Sequence, residues 1–371
     1  MQNKIRIGVI FGGRSGEHAV SLMSARSVLS VMNPMKYDIT QIGISKTGEW
    51  YTGKNVLSAL ENEDFNCLNK AILHPVPGSA HLYRMLETVD GLKLELVAEL
   101  DVIYPVLHGT FGEDGTLQGL LEMADIAYVG AGVLGSSVGM DKGLFKDVMR
   151  ANGIPVVESI TISRMEIEKD LNGVITRAEK FSPYPFFVKP ANLGSSVGIS
   201  KCRNRSDLME GIIDAARFDR RILVERGLNN PREIEISVLG NQIPVASVAG
   251  EIRPEADFYS YYAKYLDDRS KLMIPADLPT KTASQMQEIA VKVYRAIDCA
   301  GMARVDFLLD RETGEFFISE VNTLPGFTKI SMYPKLWEAS GLSYAQLIDR
   351  LVELALERKG DRDHTVRTYE G

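Results

Sequence analysis

Two apolar runs near the C-terminus do most to restrict how this 371-residue chain can fold. Ala303 to Leu309 and Glu315 to Val321 alternate hydrophobic and polar residues, and only Asp310 to Gly314 separates them. Period two marks strands, and so short a turn pairs them antiparallel. Arg304 and Asp306 then share a face of one strand, and Glu320 and Asn322 share a face of the other. The hairpin presents all four in one patch. Phe307, Leu308, Phe316, Phe317 and Ile318 make this an interior hairpin, where charge requires an ion or a partner. Two carboxylates and an amide oxygen are hard donors that suit Mg²⁺ better than Zn²⁺.

The chain is longer than one hydrophobic core usually serves, so two or three domains are expected. The first third alternates strands and helices: a strand from Ile5 to Phe11 ending in Gly12-Gly13, a helix from Ser21 to Val31, a strand from Val102 to Leu107, a helix from Leu117 to Met123 and a strand from Ala127 to Val129. This repetition predicts an α/β unit, a parallel sheet covered by helices, with ligands beyond the carboxyl ends of its strands. Gly12-Gly13 and the run Gly109 to Gly115 both fall at such ends.

The middle reads as a small α+β unit, roughly residues 141–227. Phe186 to Lys189 and Val197 to Lys201 are strands joined by a glycine–serine loop. A helix from Ser206 to Phe218 is capped at Ser206, and Ile222 to Glu225 is a short strand. Two more strands follow, Glu233 to Leu239 and Ile243 to Ile252, and then an irregular stretch from Arg253 to Pro275. Segments of that length without regular structure usually serve as lids when they are rich in aromatics. Helices are expected from Ala283 to Ile297 and from Leu342 to Glu357, with a polar tail after Gly360. The units are therefore 1–140, 141–227 and 228–360, the last carrying a lid at 253–275, with 361–371 as the tail.

Composition narrows the function. The 42 basic and 49 acidic side chains leave a net charge of −7, which argues against nucleic acid and anionic membranes as partners. No apolar run reaches membrane-spanning length and no secretory signal opens the chain, so a cytoplasmic protein is expected. Cys67, Cys202 and Cys299 form no C-x-x-C pair and read as small apolar residues of a reducing compartment.

Phosphate chemistry has candidates of its own. Lys189 ends a strand just before Gly194-Ser195-Ser196-Val197-Gly198, whose backbone amides can wrap phosphate oxygens. Lys142 is a second cation. No Walker sequence occurs, and Gly12 to Gly16 lacks the spacing of a dinucleotide fingerprint. Glu225, at a strand end, suits an adenine amino group or ribose hydroxyls, and Glu233 and Glu235 share a strand face. Glu17 stands where a helix begins. With His108, in a polar, glycine-rich run, it can bracket an ammonium-bearing substrate. Pro325-Gly326 is a tight turn able to offer amides to a carboxylate or oxyanion, with Ser331 just beyond.

The ordered segments HGTFGEDGTLQG, MDKGLFK, FFVKPANLGSSVGISK, YYAKYLDD, ARVDFLLD and EVNTLPGFTKISMYP resemble D-alanine–D-alanine ligases, over about Lys4 to Lys359. The resemblance implies an ATP-grasp fold, with an N-terminal parallel-sheet domain and two α+β lobes enclosing ATP. It implies that Lys142 and Lys189 bind phosphates, that Glu225 and Glu233 bind adenine and ribose, and that Lys264 reaches the γ-phosphate. Asp306, Glu320 and Asn322 would hold two Mg²⁺, for which Mn²⁺ can substitute. Arg304 and the Gly326 amide would stabilise the oxyanion, and Ser331 would receive the second substrate's carboxylate. Glu17 and His108 would hold the first D-alanine, with Ser195 and Tyr265 linking Glu17 to the lid. The implied reaction passes through D-alanyl phosphate to D-alanyl-D-alanine, a peptidoglycan precursor, in a homodimer. Tyr265 after Lys264 favours the dipeptide over products with D-lactate or D-serine.

Overall fold

The computed structural model describes residues 4–78, 80–194, 197–253, 271–328 and 330–366. Its strands form three sheets. The first contains β1 (Ile5–Gly12), β2 (Tyr37–Ile44), β3 (Trp50–Gly53), β4 (Leu68–Leu73), β5 (His81–Thr88), β6 (Gly91–Glu99), β7 (Val102–Val106) and β8 (Ala127–Tyr128), in the order 6-5-4-3-2-1-7-8. Strands β2, β1, β7 and β8 are parallel. The expected parallel sheet is thus only half of what forms, because β3 to β6 extend it antiparallel. Those four strands carry mixed rather than continuous apolar sequences, whereas β7 is buried at every position, as central parallel strands are.

The helix Thr116–Met123 packs on one face of this sheet, with Leu117 and Leu121 against Ile10 and Ile103. The long C-terminal helix Tyr344–Asp363 returns to the other face, where Leu347 and Leu351 join a core with Ile7, Tyr104 and Phe327. That helix extends beyond Gly360, where a tail was expected. It is held by Arg358 on the carbonyls of Gly130 and Tyr128, and by Arg362 on Glu122 and Asp125.

The second sheet is antiparallel, with β9 (Ser159–Ser163), β10 (Phe186–Pro190), β11 (Ser200–Cys202) and β12 (Arg221–Arg226) in the order 11-10-12-9. The helix Arg205–Phe218 covers it. Its cap is Asn204, whose side chain accepts from Asp207 N, and not Ser206. The third sheet has β13 (Arg232–Gly240), β14 (Val245–Arg253), β15 (Lys271–Met273), β16 (Gly301–Leu309) and β17 (Phe316–Asn322), in the order 15-14-13-16-17. The helix Thr280–Ala296 packs on it through Met286, Ala290 and Val293. Of the expected lid, Arg253 closes β14 and Lys271 opens β15, while residues 254–270 lie outside the described part. Cys202 and Cys299 are buried, but Cys67 is exposed, against the expectation for a small apolar residue.

Candidate active site

One cleft is lined from all three sheets. Glu17 and His108 come from the first, Lys142 and Gly194 from the second and its approaches, and Glu235, Arg304, Glu320, Asn322, Gly326 and Ser331 from the third and the segment after it.

The β16–β17 hairpin supplies the acidic wall, and its register is less simple than alternation implies. The strands close on Leu309 opposite Phe316, one residue later than the expected turn. That register alone would turn Glu320 and Asn322 to the opposite face from Asp306, since a one-residue slip flips every side chain. A bulge between Asp306 and Phe307 in the pairing restores the match, setting Glu320 opposite Asp306 and Asn322 opposite Arg304. Bulges often re-aim side chains beside functional sites. The Arg304 guanidinium grips Asp306 at 2.7 and 2.6 Å and reaches Glu235 on β13 at 3.0 Å. Asn322 donates to Asp306 at 3.1 Å. Lys142 stands 3.8 Å from Glu320 and donates to the Leu193 carbonyl at 2.7 Å.

Deeper in the second sheet, Glu225 is buried between two ammonium groups, Lys189 at 2.7 Å and Lys146 at 2.6 Å. Burial opposes ionisation of its carboxyl, yet the two lysines prevail and hold it down at about 2. Lys189 is raised: burial works against its charge, but Glu225, then Glu320 and Glu233, outweigh it. Lys146, hardly exposed at all, is lowered, because burial and the neighbouring Lys189 charge exceed the help of Glu225. Glu233 is half-buried on β13 and pairs with Leu308 and Ile252.

The wall of the cleft around Glu17 is built from glycine turns. Glu17 is buried at the start of the helix His18–Val31. A Cβ on Gly109 would stand 2.5 Å from the Glu17 Oε2, and one on Gly194 would stand 2.7 Å from it. The carboxylate therefore fills space that only glycines leave open in two loops. Gly109 also has φ +74°, where side chains are strained. Ser15 ties the loops together by donating to the His108 carbonyl at 2.8 Å.

The His108 ring lies between Ser24 Oγ at 3.0 Å, the Leu324 carbonyl at 3.1 Å and Glu113 at 3.5 Å. Burial alone would lower its imidazole, but Glu113, Glu17 and that carbonyl raise it. Glu113 is raised in turn by burial and by Glu17, against the pull of His108. Ser24 also accepts from Phe327 N at 3.3 Å, which fixes the turn containing Gly326 against the first helix. The Ser331 hydroxyl accepts from Thr328 N at 3.0 Å and lies 2.8 Å from the Thr328 hydroxyl.

Known proteins resemble the whole of this framework. Residues 6–131 match the family model described as D-ala D-ala ligase N-terminus, and residues 148–353 match D-ala D-ala ligase C-terminus. The chain belongs to the D-alanine–D-alanine ligase family. A D-alanine–D-alanine ligase of Natranaerobius thermophilus is 47% identical, covering 97% of both chains. One from Thermoanaerobacter pseudethanolicus is 48% identical, over 97% of this chain and 98% of its own. Among solved structures, the D-alanine–D-alanine ligase of Coxiella burnetii superposes with a TM-score of 0.84 at 35% identity, covering 97% of this chain and 96% of its own. The VanG D-Ala:D-Ser ligase of Enterococcus faecalis gives 0.81 at 34%, with 95% and 100% covered. These likenesses make the fold that of the ATP-grasp ligases.

Of the expected site residues, Ser195, Lys264 and Tyr265 lie outside the described residues. Glu17, His108, Lys142, Arg304, Glu320, Asn322, Gly326 and Ser331 line the cleft, Asp306 lies behind it on Arg304 and Asn322, and Lys189, Glu225 and Glu233 are not among its lining residues. Sequence reasoning missed Lys146, Glu113 and Ser24. Lys146 had a legible signal: it follows Lys142 by four residues on the helix Lys142–Ala151, the spacing of one helical face. Glu113 and Ser24 had none, since only tertiary folding brings them to His108.

Proposed function

We propose that this enzyme joins two D-alanine molecules into D-alanyl-D-alanine, with ATP cleaved to ADP and phosphate, to supply peptidoglycan synthesis. The observation that carries the reading is a cleft in which Lys142 of the middle unit stands 3.8 Å from Glu320 of the β16–β17 hairpin, with Glu17 and His108 of the first sheet in the same lining. The proposed units are 1–140, 141–227 and 228–360, the last extended to Asp363 by its helix. Phosphoryl transfer depends on positioning and charge rather than a covalent nucleophile. Lys142 and Lys189 would bind phosphate oxygens, with Lys264 reaching the transferred group from the lid. Glu225 and Glu233 would bind adenine and ribose, which requires Lys189 to turn from Glu225 toward the phosphates.

The donor set fits Mg²⁺. Asp306, Glu320 and Asn322 bring carboxylate and amide oxygens to neighbouring positions of the paired strands. Mg²⁺ commonly binds through one or two carboxylates and completes its shell with phosphates and water. These three residues would hold two such ions, or Mn²⁺, which would neutralise charge at the phosphates. Glu17 and His108 would hold the first D-alanine, with Ser195 and Tyr265 joining Glu17 to the lid. Arg304 and the Gly326 amide would receive the developing oxyanion, and Ser331 the carboxylate of the second D-alanine. D-alanyl phosphate hydrolyses unless water is excluded, which gives the 253–275 lid its purpose. The amine of the second D-alanine then attacks, and phosphate leaves.

Among the described residues no helix is long and apolar enough to cross a membrane. The enzyme would act in the cytoplasm, as a homodimer. Chromatography after incubation with ATP, Mg²⁺ and D-alanine should show D-alanyl-D-alanine and ADP. Equal use of L-alanine, or ATP hydrolysis without dipeptide, would refute the assignment. Preferential capture of added D-serine or D-lactate would move it to the depsipeptide or D-serine branch.

A further inference from the structure

Residues 191–194 follow β10 and lead into the glycine–serine loop without joining a strand. Their position is set from two sides. The Ala191 carbonyl accepts from Lys142 N, and Ala191 N donates to the Arg221 carbonyl, each at 3.0 Å. The Lys142 ammonium donates to the Leu193 carbonyl at 2.7 Å. Asn192 N donates to the Asp219 carboxylate at 2.7 Å. The stem of the loop, the start of the helix Lys142–Ala151 and the start of β12 thus meet at one point.

The side chain at that point is Asp141, only 6% exposed. One of its carboxylate oxygens accepts from Leu144 N at 2.8 Å and caps the helix. The other accepts from the Asn192 amide at 2.9 Å and from the Arg221 guanidinium. A Cβ on Gly143 would stand 3.0 Å from that guanidinium, so the helix leaves it room. Capping needs only the first of these bonds. The other two tie the cap to the loop and to β12, and bonds to a charged group are the stronger kind.

The consequence falls on Lys142 and Gly194. Lys142 follows Asp141 directly and stands 3.8 Å from Glu320. Gly194 lies two residues after Asn192 and abuts Glu17. A carboxylate that locks residue 141 to residue 192 holds the lysine and the loop in a fixed relation. Without that lock, the cost of ordering the loop falls on ligand binding.

We infer that Asp141 is a positioning residue for the ligation: through Asn192 and Arg221 it presets the glycine–serine loop against Lys142 for the phosphates of ATP. The inference rests on the ATP reading of Lys142 and of that loop.

Initial rates against ATP at saturating D-alanine and Mg²⁺, with urea unfolding of each full-length variant, test it. Asn192→Ala removes the loop arm and leaves the cap. KM for ATP should rise about tenfold, the worth of one bond to a charged group, with kcat and the unfolding midpoint close to wild type. Asp141→Asn keeps the capping oxygen but sets an NH₂ group against two donors, so KM for ATP should rise at least as far. The exchange Asp141→Asn/Asn192→Asp restores a donor facing a carboxylate. It should recover most of the wild-type KM, which a purely structural role would not produce. An unchanged KM in Asn192→Ala, or a lowered midpoint with wild-type KM in Asp141→Asn, would make Asp141 a helix cap alone and overturn the inference. Failure of the exchange to bring KM below that of Asp141→Asn would overturn the link through Asn192. A wild type without D-alanine-dependent ATP turnover would instead overturn the proposed function.

Discussion

Lys146 and Glu225 show what a buried charge does in this enzyme. Glu225 lies between two lysines, and removing one leaves it half-compensated in a medium that solvates charge poorly. Lys146→Met should cost about 2 kcal/mol in urea unfolding, less than a fully orphaned charge because Lys189 remains. The double variant Lys146→Met/Glu225→Leu should recover part of that loss. If the double variant is worse by the sum of its parts, the two side chains are not coupled. His108 and Glu113 give a pH dependence of definite sign. Both are raised in the fold, so their stabilisation is complete below their unfolded values and is lost as pH rises through the folded ones. The thermal midpoint should fall as pH climbs above about 6, and Glu113→Gln should flatten that decline. An equally steep decline in the variant would detach the effect from this pair. At the proposed metal patch, Glu320→Gln should abolish turnover with an unchanged unfolding midpoint; retained activity would remove the metal role from Glu320.

Turns and caps set the site's geometry at the scale of elements. Gly109 combines a left-handed backbone with contact against Glu17, whereas a Cβ on Gly16 meets nothing within 4 Å. Gly109→Ala should therefore destabilise by about 2 kcal/mol and raise KM for D-alanine, while Gly16→Ala stays close to wild type. Equal effects on KM would show that the Glu17 seat is not what Gly109 protects. The helix Arg164–Phe181 opens with a capping box between Ser163 and Glu166. Ser163→Ala should lower stability by about 1 kcal/mol, seen as a shifted denaturant midpoint with activity retained.

Across the whole molecule, the C-terminal helix lies against the first sheet, and its first residue, Tyr344, donates to the Phe327 carbonyl at 3.1 Å, next to Gly326. Lys264 belongs to the segment that would close over this assembly. Lys264→Ala should mainly slow the phosphoryl step in a single-turnover measurement, and an unchanged rate would make that lysine a bystander. Local pattern made most of the other elements legible. β1, β7, β10, β13 and the Thr280–Ala296 helix carry unbroken period-two, apolar or helical signals. Strands β3 to β6 were not anticipated, because an antiparallel extension with one wet face has no continuous apolar run. Asn204 displaced Ser206 as a cap because helix starts depend on backbone dihedrals as well as residue type.

The sequence by itself determined the hairpin, its hard-donor residues, the lysines that face them and the family to which they belong, since these follow from residue type and short-range spacing. Tertiary structure alone decided that Glu320 and Asn322 face Asp306. A slipped turn and a compensating bulge between β16 and β17 set that register, and alternation along either strand reveals neither. Tertiary structure also placed Lys146, Glu113 and Ser24, because partners distant in sequence meet only when separate elements pack.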